Sequence, residues 1–118
     1  MTLFGAFVFT HFVMDWIFQT NWQATHKHLH TGALYRHCLI YTCGFLLVFF
    51  AFHVPLIWLF VIFISHITLD AWSFPAFVLR EIKHTKKEDV PEYLWAILNL
   101  VIDQIAHVGI LVLIASTR

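Results

Sequence analysis

Four apolar runs, each close to the roughly 20 residues a helix needs to cross a bilayer, take up most of this chain. They cover approximately residues 2–20, 33–53, 55–79 and 92–115. A composition that is 60% hydrophobic and 18% aromatic, with 12% charged residues, is more apolar than a soluble domain of 118 residues can bury. The expected fold is therefore all-α: a polytopic membrane protein whose four transmembrane helices form one antiparallel bundle over residues 1–118. The first run has neither a basic leader nor a small-residue cleavage site, and it carries His11, Asp15 and Gln19, so it reads as a retained span.

Charge informs by position, because the seven basic and seven acidic residues cancel and no nucleic-acid partner is indicated. Two polar connections, 21–32 and 80–91, flank a short apolar hairpin around His53, Val54 and Pro55. Pro55 and Pro91 suit helix starts, where the missing N–H costs nothing, and Pro75 is expected to kink the third span or end it early. With four spans, Lys27, Arg36, Arg80, Lys83, Lys86 and Lys87 fall on one side and Arg118 alone on the other. By the bias of basic loops this predicts a bacterial inner-membrane protein with cytoplasmic long loops and both termini outside. Trp22, Tyr93 and Trp95 then lie at the inner interface and Trp58 near the outer one, where amphipathic rings are favoured.

The runs are interrupted by a repeated polar pattern. Three of the four aspartates stand four residues from a histidine within a span: His11 with Asp15, His66 with Asp70, and Asp103 with His107. Four residues are about one helical turn, so each pair shares a face. Gln19 continues the first stripe, Gln104 adjoins the last pair, and His37 with Tyr41 repeats the spacing in the second span. At about 1.5 Å per residue, His11, Asp70 and Asp103 come out roughly 13 to 17 Å from the cytoplasmic ends. Asp15 is shallower, and His66 and His107 are slightly deeper. The order is His then Asp in spans one and three and reversed in span four, so in space every aspartate faces the cytoplasm and every histidine lies deeper. The pairs are expected to converge, with His37 closing the site from below and the second span contributing least.

No lysine or arginine lies deep in a span, so the carboxylates need protons, water or a metal cation to neutralise them. Imidazole with carboxylate suits a divalent metal, zinc first and manganese or iron next. The candidate ligands are His11, Asp15, His37, His66, Asp70, Asp103 and His107, with Gln19 and Gln104 toward substrate or water. Their number permits two metals, or one metal with aspartates orienting the histidines. A single such pair in a membrane helix is most often interhelical polar glue; the matched set argues for a site. The remaining polar features have plainer readings. Cys38 and Cys43 read as lipid-facing or packing residues, His26, His28 and His30 as part of a solvated loop, and residues 80–87 as an ordinary inside-facing basic loop. Aspartates are a poor companion for a haem pocket.

The segment HFVMDWIFQTNWQA, a histidine early in the second span, SHITLD in the third and IDQIAH in the fourth resemble a family of small bacterial and phage membrane proteins, the domain of unknown function 3307. The resemblance covers nearly the whole chain, implies the four-helix architecture and matches His11, Asp15, Gln19, His37, His66, Asp70, Asp103, Gln104 and His107. It implies no activity. A looser similarity is to integral-membrane metal-dependent hydrolases.

The residues themselves point to metal-assisted hydrolysis, with Asp15, Asp70 and Asp103 as the catalytic carboxylates, membrane lipids as partners, and a lipid or lipid-linked phosphate as substrate. Two rivals use the same residues: a proton or divalent-cation transporter or channel, and a membrane effector that works by association, for which homo-oligomerisation is compatible with so few spans.

Overall fold

A computed structural model describes residues 1–26 and 31–118. Among them every regular element is helical: α1 (Leu3–Phe12), α2 (Asn21–His26), α3 (Thr31–Gly44), α4 (Leu46–Ala51), α5 (Ile57–Trp72), α6 (Phe74–Phe77) and α7 (Glu92–Ser116). Wide π turns extend α1 over Val13–Ile17 and α6 over Val78–Ile82. Lys27, His28 and His30 of the first connection lie outside the described residues.

The apolar runs become helices of unequal reach. Two are long and apolar enough to cross a membrane: Thr31–Ala51, which joins α3 and α4 with a slight break after Gly44, and Glu92–Ser116. The third run is bent by 56° between Ile57–Trp72 and Phe74–Ile82. The break falls at Ser73, whose φ of 52° is left-handed, and Pro75 enters the first turn of α6. The proline thus follows the kink, since its ring restrains the residue before it and its missing N–H suits a helix start. The first run gives only Leu3–Ile17, shorter than the 2–20 expected, because the chain leaves the helix at Phe18 and restarts as α2. The polar 21–32 segment, expected as a loop, includes that short helix.

Local chemistry explains the ends. Gly5 N–H donates to Thr2 Oγ1 at 3.0 Å, capping α1. At the hairpin, His53 takes φ 53° while Val54 N–H donates to the Phe49 carbonyl at 2.9 Å and His53 N–H to Phe50 at 3.4 Å, the paired bonds of a Schellman ending with histidine in the left-handed position. Arg118 then donates to the His53 carbonyl at 2.9 Å, tying the C-terminus to the hairpin.

Packing follows a closed circuit: α3 against α5, α5 against α7, α7 against α1, and the π turn of α1 back against α3. Gly44 makes the last approach feasible, because a Cβ there would collide with the Met14 side chain. Phe7, Phe45, Phe49, Ile62, Leu111 and Ile114 fill the interior at the end carrying the termini and the hairpin. The outer surface is apolar too, with Phe9, Leu47, Phe50, Phe60, Ile105 and Leu113 all exposed, whereas His11, Asp15, His37, His66, Asp70 and His107 are buried. Polar residues inside and apolar residues outside invert the usual soluble pattern.

Candidate metal centre

Each helix places its polar residues one turn beyond its share of the apolar interior. Phe7 precedes His11 on α1; from Phe45, just past the end of α3, Tyr41 and His37 descend that helix; Ile62, His66 and Asp70 follow along α5; Leu111, His107 and Asp103 do so on α7. Four-residue spacing keeps each series on one face, so helices that share a core also share the polar layer above it. Asp15 sits within the π turn, and its side chain is only 5% exposed. Such turns insert an extra residue and re-aim side chains, and they recur at functional sites.

Two histidine nitrogens lie close to two carboxylate oxygens, the four residues coming from three helical segments. His37 Nε2 lies 2.9 Å from His66 Nε2, 3.1 Å from Asp15 Oδ1 and 3.4 Å from Asp70 Oδ2. His66 Nε2 lies 3.4 Å from Asp70 Oδ2 and 3.9 Å from Asp15 Oδ1. Ligands bound tetrahedrally at 2.0 to 2.1 Å stand about 3.3 Å apart, and the five separations scatter around that value. A second group lies beside the first: His107 Nε2 is 3.4 Å from Asp70 Oδ1, and Asp70, Asp103 and His107 have ligand atoms within 4.8 Å of one another. The His107 ring is oriented by its other nitrogen, Nδ1, which donates to the Asp103 carbonyl at 2.8 Å and leaves Nε2 directed at Asp70. These buried His/Asp groups could hold a metal ion.

The remaining residues of the expected site take supporting positions. His11 Nε2 donates to Gln104 Oε1 at 2.8 Å, and its Nδ1 accepts from Tyr41 O–H at 2.8 Å, so hydrogen bonds occupy both ring nitrogens. Gln104 Nε2 in turn donates to Asp103 Oδ2 at 3.1 Å and to Asp15 Oδ2 at 3.4 Å, one carboxylate from each group. Gln19 Nε2 donates to the Asp15 backbone carbonyl at 3.0 Å, which steadies the end of the π turn rather than lining the groups. His37, expected to contribute least, is at the centre of the first group. The α3 side chains seen in sequence only as packing or as spacing partners are closely involved: Cys38 is fully buried with His66 and Asp70 in ligand range, and the Tyr41 ring stacks on His66 at 3.8 Å between centroids. Nothing in the sequence marked either the thiol or the stack.

Among the described residues, a polar mouth and an apolar groove reach this layer. A cavity of about 270 Å³, lined by Asp70, Asp103, Ser73 and Asn99 together with Leu69, Pro75, Ala76 and Leu100, lies beside the bend at Ser73, between the third run and α7. Leu100 also borders an apolar groove of about 540 Å³ between α1 and α7, walled by Phe12, Trp16, Val101, Ile105 and Val108, with Gln104 reaching into it. At the opposite end the apolar interior closes the layer off.

Comparison with known proteins gives one match. The model of a family described as protein of unknown function (DUF3307) matches residues 3–118. No curated protein and no solved structure matches the chain.

Proposed function

The chain belongs to the DUF3307 family of proteins of unknown function, and from that premise we propose that it is an integral membrane, metal-dependent hydrolase acting on a lipid or lipid-linked phosphate. The observation that carries the reading is the meeting of Asp15, His37, His66, Asp70 and His107 in the buried middle of helices whose outer faces are apolar. A water-exposed surface of that character is unfavourable, while a bilayer accepts it. In this reading the four runs form the bundle, with the first short and the third bent. The basic loops lie in the cytoplasm, and the mouth beside Ser73 opens toward them.

A divalent cation on these residues would polarise a phosphoryl oxygen and make water a stronger nucleophile near neutral pH. Zinc suits the imidazole-rich first group, and manganese or iron would also accept the mixed donors. Histidines 37, 66 and 107 and the Asp15 and Asp70 carboxylates hold the charge. Asp103, whose side chain is 24% exposed at the mouth, would take the proton that water loses as its oxygen bonds to phosphorus and return it to the leaving alkoxide as the ester P–O bond breaks. His11, Tyr41 and Gln104 hold the ligands in place. The polar mouth and the apolar groove, joined at Leu100, match an amphipathic substrate with its head at Asp70 and Asp103 and its chain along α1 and α7.

The rival reading, a conduit for protons or cations, needs polar groups across the whole thickness. Among the described residues the layer ends against Phe7, Phe45, Phe49, Ile62, Leu111 and Ile114, which favours a site with one mouth. The test is elemental analysis of the purified chain, with phosphate release from phosphatidic acid and a polyprenyl phosphate measured before and after chelation. Stoichiometric metal and chelator-sensitive release are expected. Absence of bound metal, with stability unchanged by chelator, would sink the reading.

A further inference from the structure

Asp70 turns its two carboxylate oxygens toward different partners. Oδ2 lies 3.4 Å from both His37 Nε2 and His66 Nε2, the two histidines that group with Asp15. Oδ1 lies 3.4 Å from His107 Nε2, within the group that includes Asp103. His107 Nδ1 donates to the Asp103 carbonyl, which fixes the ring with Nε2 aimed at Asp70 Oδ1, both residues being buried. In the first group the two imidazole Nε2 atoms face two carboxylate oxygens at hydrogen-bonding or near hydrogen-bonding range. A carboxylate whose two oxygens each face a separate set of ligand-type atoms is suited to link two metals about 3.5 to 4 Å apart.

We infer that Asp70 bridges two divalent cations, one held by Asp15, His37 and His66 and the other by His107 with Asp103 on its open side. This rests on the metal-dependent reading above and makes it a two-ion site. The supporting frame is also double: the Gln104 amide donates to Asp15 of the first group and Asp103 of the second, fixing the two outer carboxylates relative to each other. The second ion is the one beside the 270 Å³ mouth, since Asp70 and Asp103 line that cavity while Asp15 and His37 do not. A phosphate head entering there meets the second ion first, and the two ions together can bind both the attacking and the leaving oxygen.

Metal stoichiometry and magnetic coupling test this. The purified full chain in detergent, stripped by chelation and titrated with manganese chloride, is expected to bind two Mn²⁺ per chain and to give an exchange-coupled electron paramagnetic resonance spectrum. His37→Ala and His107→Ala are each expected to bind one ion and to give the six-line spectrum of isolated Mn²⁺. Saturation at one ion per chain overturns the inference and leaves the metal-dependent reading standing; two uncoupled ions overturn the bridge. No binding at all overturns both. Should either variant fail to fold, the stoichiometry and spectrum of the wild-type chain decide the question unaided.

Discussion

His37 on α3 and His66 on α5 face each other through the same ring nitrogen, Nε2 to Nε2, 2.9 Å apart and both buried. Without a cation one of them must carry the proton that the other accepts, and the nearby oxygens of Asp15 and Asp70 compete for it. With a cation all four atoms can bind through lone pairs.

Metal removal should therefore loosen the whole layer. An ion at 100 to 1,000 times its dissociation constant stabilises the folded chain by about 3 to 4 kcal/mol. Thermal unfolding in detergent, followed by circular dichroism, should show a lower midpoint after chelation and recovery on adding zinc. In His37→Ala the chelator effect should be much reduced, because one ligand of the first group is gone.

Gln104 is predicted to matter for stability although it holds no ion. Gln104→Leu leaves the His11 Nε2–H without its acceptor and deprives Asp15 and Asp103 of a shared donor. Leaving such buried groups short of partners costs about 1 to 3 kcal/mol. Chemical denaturation should show that loss, together with weaker manganese binding.

Gly44→Ala should act at a distance on Asp15. The added methyl collides with Met14, the neighbour of Asp15 in the π turn, and overpacking of this kind costs about 1 to 3 kcal/mol. Met14→Ala should restore much of the loss in the double variant, measured as a non-additive pair. If the two changes simply add, the Met14 contact is not the cause.

Ser73 tests the mouth. It holds φ 52° without being glycine, so Ser73→Gly should be tolerated, whereas the branched side chain of Ser73→Val is strained in that region by about 1 to 3 kcal/mol. Because Ser73 also lines the cavity with Asp70 and Asp103, the valine variant should release less phosphate from phosphatidic acid than the glycine variant does.

Much of the site was legible in the sequence, because four-residue spacing is a direct statement about helix faces. His66 with Asp70 and Asp103 with His107 reappear as neighbours in space, and His37, expected to close the site from below, lies beside Asp15. The roles within the set were not legible, since they depend on which nitrogen of each ring is engaged. His11 has the same spacing as the others, yet Tyr41 and Gln104 occupy both its nitrogens. The π turn at Val13–Ile17 leaves no trace in an apolar run, and it shortens the first helix while turning Asp15 inward. Pro75 announced a break, but left-handed backbone at Ser73 supplies it, a choice made by packing against α7 as much as by local preference. Cys38 looked like packing because a lone thiol among apolar residues carries no spacing signal, and only its position beside His66 and Asp70 distinguishes it.

The plug of Phe7, Phe45, Phe49, Ile62, Leu111 and Ile114 has a consequence for supply. If the chain is the membrane hydrolase proposed above, a site sealed on one side by aromatic and aliphatic side chains would serve only the leaflet its mouth opens on, and its products would depart by the way the substrate came. Lipid in the other leaflet is beyond its reach until something else carries it across, so turnover would be limited by flipping as much as by chemistry.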